Sequence, residues 1–488
     1  MNKQYGRADL ARIAAKAMVD RGLVAEFSTA SLNQLSAFGK SSQESAPEIR
    51  DLRALLWCSI DNEESRDLDQ LTVCERLPNG AVKVLVAIAD VDTLVKKGSP
   101  IDDCAQQNTT SVYTSARIFP MLPELLSTDL TSLNARVDRL AMVTELVFDA
   151  EAQISSSTIY RAKVHNQCKL AYDDVAAWLV GKGDMPAGVR AVAGMDVQIR
   201  TQDAVSQKLR KRRFENGALD FRSIQSRTVF AGDQVVDVEQ QQPNRARQLI
   251  EELMLATNGV TARFLASKGY SALCRVVRSP ERWLKIVEVA KDVGEILPVE
   301  PDSKALEAFL RKRRMADPLR FPDLSLVVVK LMGAGEYVLQ LAGAVPVGHF
   351  GLAVREYSHA TAPNRRFADL ITQRMLKAAI IGAPAPYSDA ELEALAKHCN
   401  DQGSDANKVE RQVRKSEAAL VLQTRLGEVF DGIVTSASSK GVWVRIFHPP
   451  VDGRLSGPGE TPHIGKKVKA RLTLADVERG FIDFVEVT

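Results

Sequence analysis

A chain of 488 residues is long enough for roughly two to four domains and a large buried core. A hydrophobic share of 45% with 26% charged residues is that of a folded globular protein and excludes a disordered or fibrous chain, and the apolar runs are too short to span a bilayer. A formal net charge of only +3 excludes a uniformly polybasic binder, so any contact with a polyanion has to come from local patches.

Three such patches are visible: Lys208 to Arg213, Arg311 to Arg314, and Arg365-Arg366. Each alone is more often a solvated helix face than a phosphate track. The six cysteines are scattered and form no CxxC pair, which indicates neither a zinc site nor a disulfide framework. The N-terminal Met-Asn-Lys-Gln-Tyr-Gly-Arg has no apolar stretch behind it and is not a signal peptide. The simplest setting is a reducing cytoplasm, with no membrane contact.

In chain order, Leu10, Ile13, Ala14, Ala17 and Met18 recur at helical spacing, and Arg21-Gly22 stops that helix. Ser28 or Thr29 caps a second helix carrying Leu32 and Leu35, which Gly39 ends. Two short helices joined by a tight turn fit either a helix-turn-helix or winged-helix module over residues 1–46 or a plain helical hairpin packed on the main body. Lys40 to Pro47 reads as a polar linker.

The chemistry concentrates in Asp61-Asn62-Glu63-Glu64-Ser65-Arg66-Asp67-Leu68-Asp69-Gln70. A β-rich run follows, with a Pro78-Asn79-Gly80 turn and then Val82 to Val91, so the acidic loop sits at the start of a hairpin. Asp67 and Asp69 are two apart and share a direction if extended, and Asp61 can fold back to join them. Carboxylates packed that closely repel one another unless a cation neutralises them, and hard oxygen ligands suit Mg²⁺ or Mn²⁺ rather than Zn²⁺. A solvated acidic turn is the competing reading. An EF-hand is excluded, because no glycine stands at the sixth position and no helix pair flanks the loop.

Further on, Leu140 to Phe148 reads as a buried strand with Ile159 to Val164 as its partner. Asn244 to Lys268 is the clearest helix, with Leu249, Leu253, Ala256, Val260 and Phe264 in one stripe and Gly269 as its stop. Residues 280–345 carry little chemical signal. From about 425 the pattern becomes short strands, about one small β-barrel, with Trp443 and Phe447 as stacking candidates among Lys440, Arg445, Lys466, Lys467 and Lys469.

Asp51-Leu52-Arg53, Ile60-Asp61 and Arg66-Asp67-Leu68-Asp69 together resemble the signature of the RNase II/RNase R (RNB) family of exoribonucleases. Further blocks extend the resemblance: Ser111 to Pro123 with Tyr113, Lys169 to Val175 with Tyr172, Gly217 to Phe221, and Leu249 to Asn258 with Glu251. His349 to Leu352, Tyr357 to Leu370 with Arg365, and Asn407 to Val413 with Glu410 complete it. The sequence departs from the family where Gln70 replaces the fourth aspartate, Ala362 a serine and Asn364 an isoleucine. About 45 N-terminal residues are also too few for the family's usual cold-shock barrels.

The resemblance implies an α+β multidomain fold. An RNB-type catalytic domain, a mixed sheet with surrounding helices over 47–424, follows the N-terminal helical module and precedes an OB-fold barrel over 425–488. It implies a 3′→5′ exoribonuclease that hydrolyses single-stranded RNA to nucleoside 5′-monophosphates, a monomer without an obligate protein partner. In that reading Asp61, Asp67 and Asp69, with Gln70 as a weaker fourth ligand, hold Mg²⁺ (Mn²⁺ possible) for two-metal hydrolysis. Arg365 meets the phosphate, since guanidinium binds phosphate bidentately, with Arg366 beside it. Tyr113 stacks on the terminal base, Tyr172 and Glu251 sense the ribose, and Glu410 faces the site. His359 is structural or substrate-binding. Two other classes stay open: an RNA-binding protein in which Gln70 has weakened the metal site, and a DNA-directed regulator using the N-terminal helices.

Overall fold

The computed structural model describes residues 5–38, 47–221, 226–231, 234–240, 244–318, 321–438, 441–457 and 466–487. The expected linker at 40–46, the Gly39 stop and Lys440 lie outside them.

The body is built on strands whose central ones carry continuous buried runs. In chain order they are β1 (Arg50–Asp51), β2 (Cys58–Asp61), β3 (Gln70–Arg76), β4 (Val82–Ala89), β5 (Val112–Tyr113), β6 (Ile118–Phe119), β7 (Asp138–Phe148), β8 (Ile154–His165) and β9 (Cys168–Ala171). Seven of these form one sheet in the order β1-β8-β7-β4-β3-β2-β9, and β5 and β6 pair apart from it. The sheet is mixed: β1 runs parallel to β8 and β2 parallel to β9, while the inner pairs are antiparallel. Val84 to Ala89 and Ala141 to Val143 are buried on both faces, as a central strand covered by helices requires.

The expected long helix is Arg245–Ser267. The Asn244 side chain accepts from the backbone N–H groups of Ala246 and Arg247 and starts it, and Gly269 at φ +77° ends it. Leu249, Leu253 and Val260 face the same core as β2, β3 and β4. Two further helices matter for the site, Phe367–Ile381 and the 34-residue Asp389–Leu422.

The C-terminal strands Val429–Ser438, Gly441–Ile446, Val451–Ser456, Lys467–Asp476 and Phe481–Val487 close into a barrel, as their spacing predicts. The barrel is seated on the Asp389–Leu422 helix. Gly480, at φ +66°, brings the turn so close that a Cβ there would lie 2.9 Å from Lys415 Cβ and 3.1 Å from the Gln412 carbonyl oxygen.

The two N-terminal helices, Arg7–Val19 and Thr29–Ser36, do not pair as a separate unit. The apolar stripe of the first is buried: Leu10 and Ile13 join the barrel core, and Ala14, Ala17 and Met18 pack with Val409 and Val413 of the long helix. The second is capped by Ser28, as expected, but buries Ser31, whose hydroxyl donates to the Pro100 carbonyl at 2.8 Å, and leaves Leu32 48% exposed. No strand follows them among the described residues to make a wing. Among the described residues the two helices form an arm packed on the body, without a wing beside them. The stripe that a free module would bury internally is used against the body.

The basic runs are also accounted for locally. Arg210 and Arg213 lie on the Met195–Glu215 helix and pair with Asp220 and Glu252, and Arg314 pairs with Asp220.

Candidate active site

The acidic loop joins β2 to β3, with Asp61 the last residue of one and Gln70 the first of the other. Its course is held by groups from outside it. The Ser132 hydroxyl accepts from Leu68 N–H at 2.9 Å and donates to the Arg66 carbonyl at 2.9 Å, and Lys169 Nζ donates to the carbonyls of Glu63 and Ser65 at 2.8 and 2.6 Å. The loop is thus a rigid connection and not a solvated turn, since its backbone acceptors are satisfied by the protein.

Asp61, Asp67, Asp69 and Gln70 line one cleft of about 380 Å³, together with Tyr113, Tyr172 and Arg365. Asp69 is 1% exposed; Arg365 Nε donates to its Oδ2 at 3.1 Å and Asn364 N–H to its Oδ1 at 3.2 Å. Burial pushes the Asp69 carboxyl up to about 7, with Arg365 opposing and Asp67 adding to the shift. Asp67 is raised as well, by burial first, with Asp61 adding to it and Arg365 opposing. Asp61 Oδ1 accepts from Asn62 N–H at 2.7 Å and from the Ser65 hydroxyl at 3.0 Å. The Tyr113 hydroxyl donates to Asp67 Oδ2 at 3.3 Å.

The Arg365 loop is rigid for its own reasons. It is a turn ahead of the Phe367–Ile381 helix, and buried Asp369 ties it down by accepting from Ala362 N–H at 2.9 Å and from Arg366 Nη2 at 2.7 Å. Asn364, at the position where the family has an apolar residue, is buried and accepts from the Thr131 hydroxyl at 2.5 Å.

Three expected residues stand outside this cleft. Glu251 is one turn along the Arg245–Ser267 helix and faces Arg213 at 3.3 Å; burial, with Arg213 opposing, raises its pKa. Arg366 and Glu410 line a second cavity, and Glu410 Oε1 accepts from Tyr113 N–H at 3.0 Å. His359 lies there too, hydrogen-bonded through Nδ1 to the Tyr337 hydroxyl at 2.7 Å.

Sequence reasoning missed Asn62, Ser65, Arg247 and Thr361, which also line the acidic cleft. Arg247 stacks over the Tyr172 ring at 4.6 Å and donates from Nη2 to Asn62 Oδ1 at 2.6 Å. The available signal was its helical spacing with Ile250 and Met254, both in the cleft wall.

The donor set fits a hard divalent cation in kind: three aspartates and an amide oxygen in one cleft, with Asp69 and Asp67 pushed toward their neutral forms by burial first and then by a neighbouring carboxylate, Asp67 and Asp61 respectively. The arrangement is not drawn tight. Serine, tyrosine, arginine and backbone donors meet the carboxylate oxygens.

A mixed sheet with the acidic loop between two of its strands, an arginine turn closing over it and a terminal barrel together define the RNase R type of fold. Two solved structures of Mycoplasma genitalium RNase R, the apo form and the complex with ribose-methylated single-stranded RNA, superpose with TM-score 0.89 at 22% identity, covering 98% of this chain and 78% of theirs. Yeast Ssd1, described as a pseudonuclease, superposes with TM-score 0.72 at 16% identity over 95% of this chain and 58% of its own. Residues 49–382 match the RNB domain and residues 428–487 the RNase II-type exonuclease C-terminal S1 domain, so the chain belongs to the RNB family. Ribonuclease R of Escherichia coli is 29% identical over 471 residues, 89% of this chain and 57% of its own length, and that of Aquifex aeolicus is 29% identical over 91% and 65%. The chain therefore spans just over half the length of the Escherichia coli relative.

Proposed function

We propose that the chain is a 3′→5′ exoribonuclease that shortens single-stranded RNA to nucleoside 5′-monophosphates. The observation that carries the reading is the convergence of Asp61, Asp67, Asp69, Arg365, Tyr113 and Tyr172 on one cleft from four separate segments of the chain. Asp69 is the central carboxylate, because it is the most buried of the three and is the one that Arg365 meets.

When bound at Asp61, Asp67 and Asp69, with Gln70 as a neutral oxygen, Mg²⁺ or Mn²⁺ supplies an acidified water and charge stabilisation at the leaving oxygen. The protein's own groups do the rest. Arg365 exchanges its contact with Asp69 for the phosphate and offsets the charge that grows there. Tyr113, 41% exposed, offers a ring face to the terminal base without reading its identity. Tyr172, held under Arg247, meets the sugar, and Glu251 lies one helical turn further along the strand's path.

We divide the chain on the same reading into the N-terminal arm to 46, the RNB body to 424 and the barrel from 425, and assign it to the cytoplasm as a monomer. No helix among the described residues is long and apolar enough to cross a membrane.

A second reading has support of its own: an RNA-binding protein with weakened catalysis. Gln70 stands in the cleft wall where the family carries a carboxylate, which gives the site one negative charge fewer. A time course on 5′-labelled single-stranded RNA with Mg²⁺, with EDTA and a matched DNA as controls, decides between them. Stepwise shortening on RNA alone, abolished by EDTA, is the expected result. Tight binding without shortening overturns the exonuclease reading in favour of the second.

A further inference from the structure

Arg365 and Arg366 are neighbours in sequence but face different cavities. Arg365 closes the acidic cleft, and Arg366 lines a second cavity of about 640 Å³ on the other side of the same turn. Thr361 and Tyr113 form part of the wall between them. Thr361 lines the acidic cleft, and its hydroxyl lies 3.4 Å from Arg366 Nη2. Tyr113 spans the same wall, with its hydroxyl on Asp67 and its backbone N–H on Glu410.

The two cavities differ in sign. The acidic cleft sets three aspartates against Arg247 and Arg365. The second is lined by Arg275, Arg366, Lys408 and Arg411 with Glu336 and Glu410; Arg366 is paired with Asp369 and Lys408 with Asp405, which leaves Arg275 and Arg411 as its cations outside those pairs. Arg366 is held in that wall by buried Asp369 at 2.7 Å, and its Nε is buried without a hydrogen-bond partner. Tyr337 and His359 supply ring surface in the same wall. The cavity also leads outward. Lys408, Arg411 and Lys415 stand three and four residues apart on one face of the Asp389–Leu422 helix. Lys408 and Arg411 belong both to this cavity and to a cleft of about 570 Å³ that Lys415, Lys16 and Arg479 continue toward the surface.

We infer that the second cavity is a binding site for a nucleoside 5′-monophosphate, and that the Lys408–Arg411–Lys415 face is the route by which this product leaves. The inference rests on the exoribonuclease reading for the word product. Hydrolysis at the acidic cleft leaves a mononucleotide whose phosphate carries close to two negative charges, beside three aspartates and behind an RNA strand that fills the approach. The cavity across Tyr113, which presents Arg275 and Arg411, is the electrostatically favoured place for it. The volume lies within the roughly 300–1,000 Å³ range of small-ligand sites.

The test is equilibrium binding of adenosine 5′-monophosphate to the full chain in EDTA, with adenosine as the control for the phosphate. Wild type is expected to bind the monophosphate saturably and adenosine at least about tenfold more weakly. Arg411→Glu and Lys408→Gln, both on the helix surface away from the acidic cleft, are expected to weaken the monophosphate by about tenfold or more while an RNA oligomer binds as before. No binding at millimolar monophosphate, or binding unchanged in both variants, overturns the site. Because EDTA removes hydrolysis from the measurement, failure of the exonuclease reading shows separately as a lack of RNA shortening. Variant-sensitive binding in such a protein would overturn the product role.

Discussion

Arg365 Nε donates to Asp69 Oδ2 at 3.1 Å across 296 residues of sequence, so the group expected to meet a phosphate is parked on the carboxylate expected to carry the chemistry. The pair keeps a buried charge compensated until substrate arrives. It also ties the acidic loop to the arginine turn, so that the two halves of the site are brought together by the fold itself.

Asp69→Asn removes the charge and keeps one acceptor oxygen for either Arg365 Nε or Asn364 N–H, in a side chain of the same shape. The expected outcome is RNA affinity within about twofold of wild type and single-turnover shortening slower by at least about a hundredfold, roughly 2.7 kcal/mol of barrier. Near-normal turnover would show that this loop is not the catalytic centre.

Gln70→Asp restores a fourth carboxylate at the first residue of β3. Adding one negative oxygen ligand should lower the Mg²⁺ concentration at half-maximal activity several-fold. A Mg²⁺ titration of the two proteins checks this, and superimposable curves would place Gln70 outside the metal's reach.

Arg247 clamps Tyr172 at 4.6 Å and the loop through Asn62 at 2.6 Å. A partly desolvated cation–π contact is worth about 1–2 kcal/mol, so Arg247→Ala should raise KM for RNA by roughly five- to thirtyfold. Arg247→Lys, which retains the charge, should recover part of the loss. Equal behaviour of the alanine and lysine variants would deny the clamp.

His349 is held down to about 4 by burial, with Arg275 adding to the effect. His359, buried beside Arg366 and Arg275, is held well below the ordinary histidine range. A depressed histidine pKa means that the unfolded chain binds more protons between about 4 and 6.5, so stability rises with pH across that window and is lost as pH falls through it. For His349 the loss is at most about 3 kcal/mol. Urea unfolding at pH 4.5 and 7 should show it, and His349→Gln should flatten the slope. A slope unchanged by the substitution would mean that His349 does not carry it.

Reading from sequence worked where chemistry is packed into one continuous stretch. Asp61, Asp67, Asp69 and Gln70 lie in a single strand-to-strand connection, and Tyr113, Tyr172 and Arg365 each sit in a short motif, so their common cleft was legible as a set. The barrel was legible because a run of short strands of that length fits one small barrel, although the strand Val451–Ser456 was not among those read from the sequence. The stripe of Leu10, Ile13, Ala14, Ala17 and Met18 was legible as a buried face, but not what buries it. Periodicity reports that a face is covered, and a helix pair and a docked arm give the same pattern.

By itself, then, the sequence determined the fold family, the acidic loop and the identity of its carboxylates, because those depend on local spacing. The tertiary structure alone decided three things: that Arg247 joins the cleft, that Glu251 turns to Arg213, and that Arg365 and Arg366 open onto cavities of opposite sign. Each depends on which way a side chain leaves a helix or a turn. That direction is set by packing partners such as Asp369 and Arg213, which lie on other elements or further along the chain.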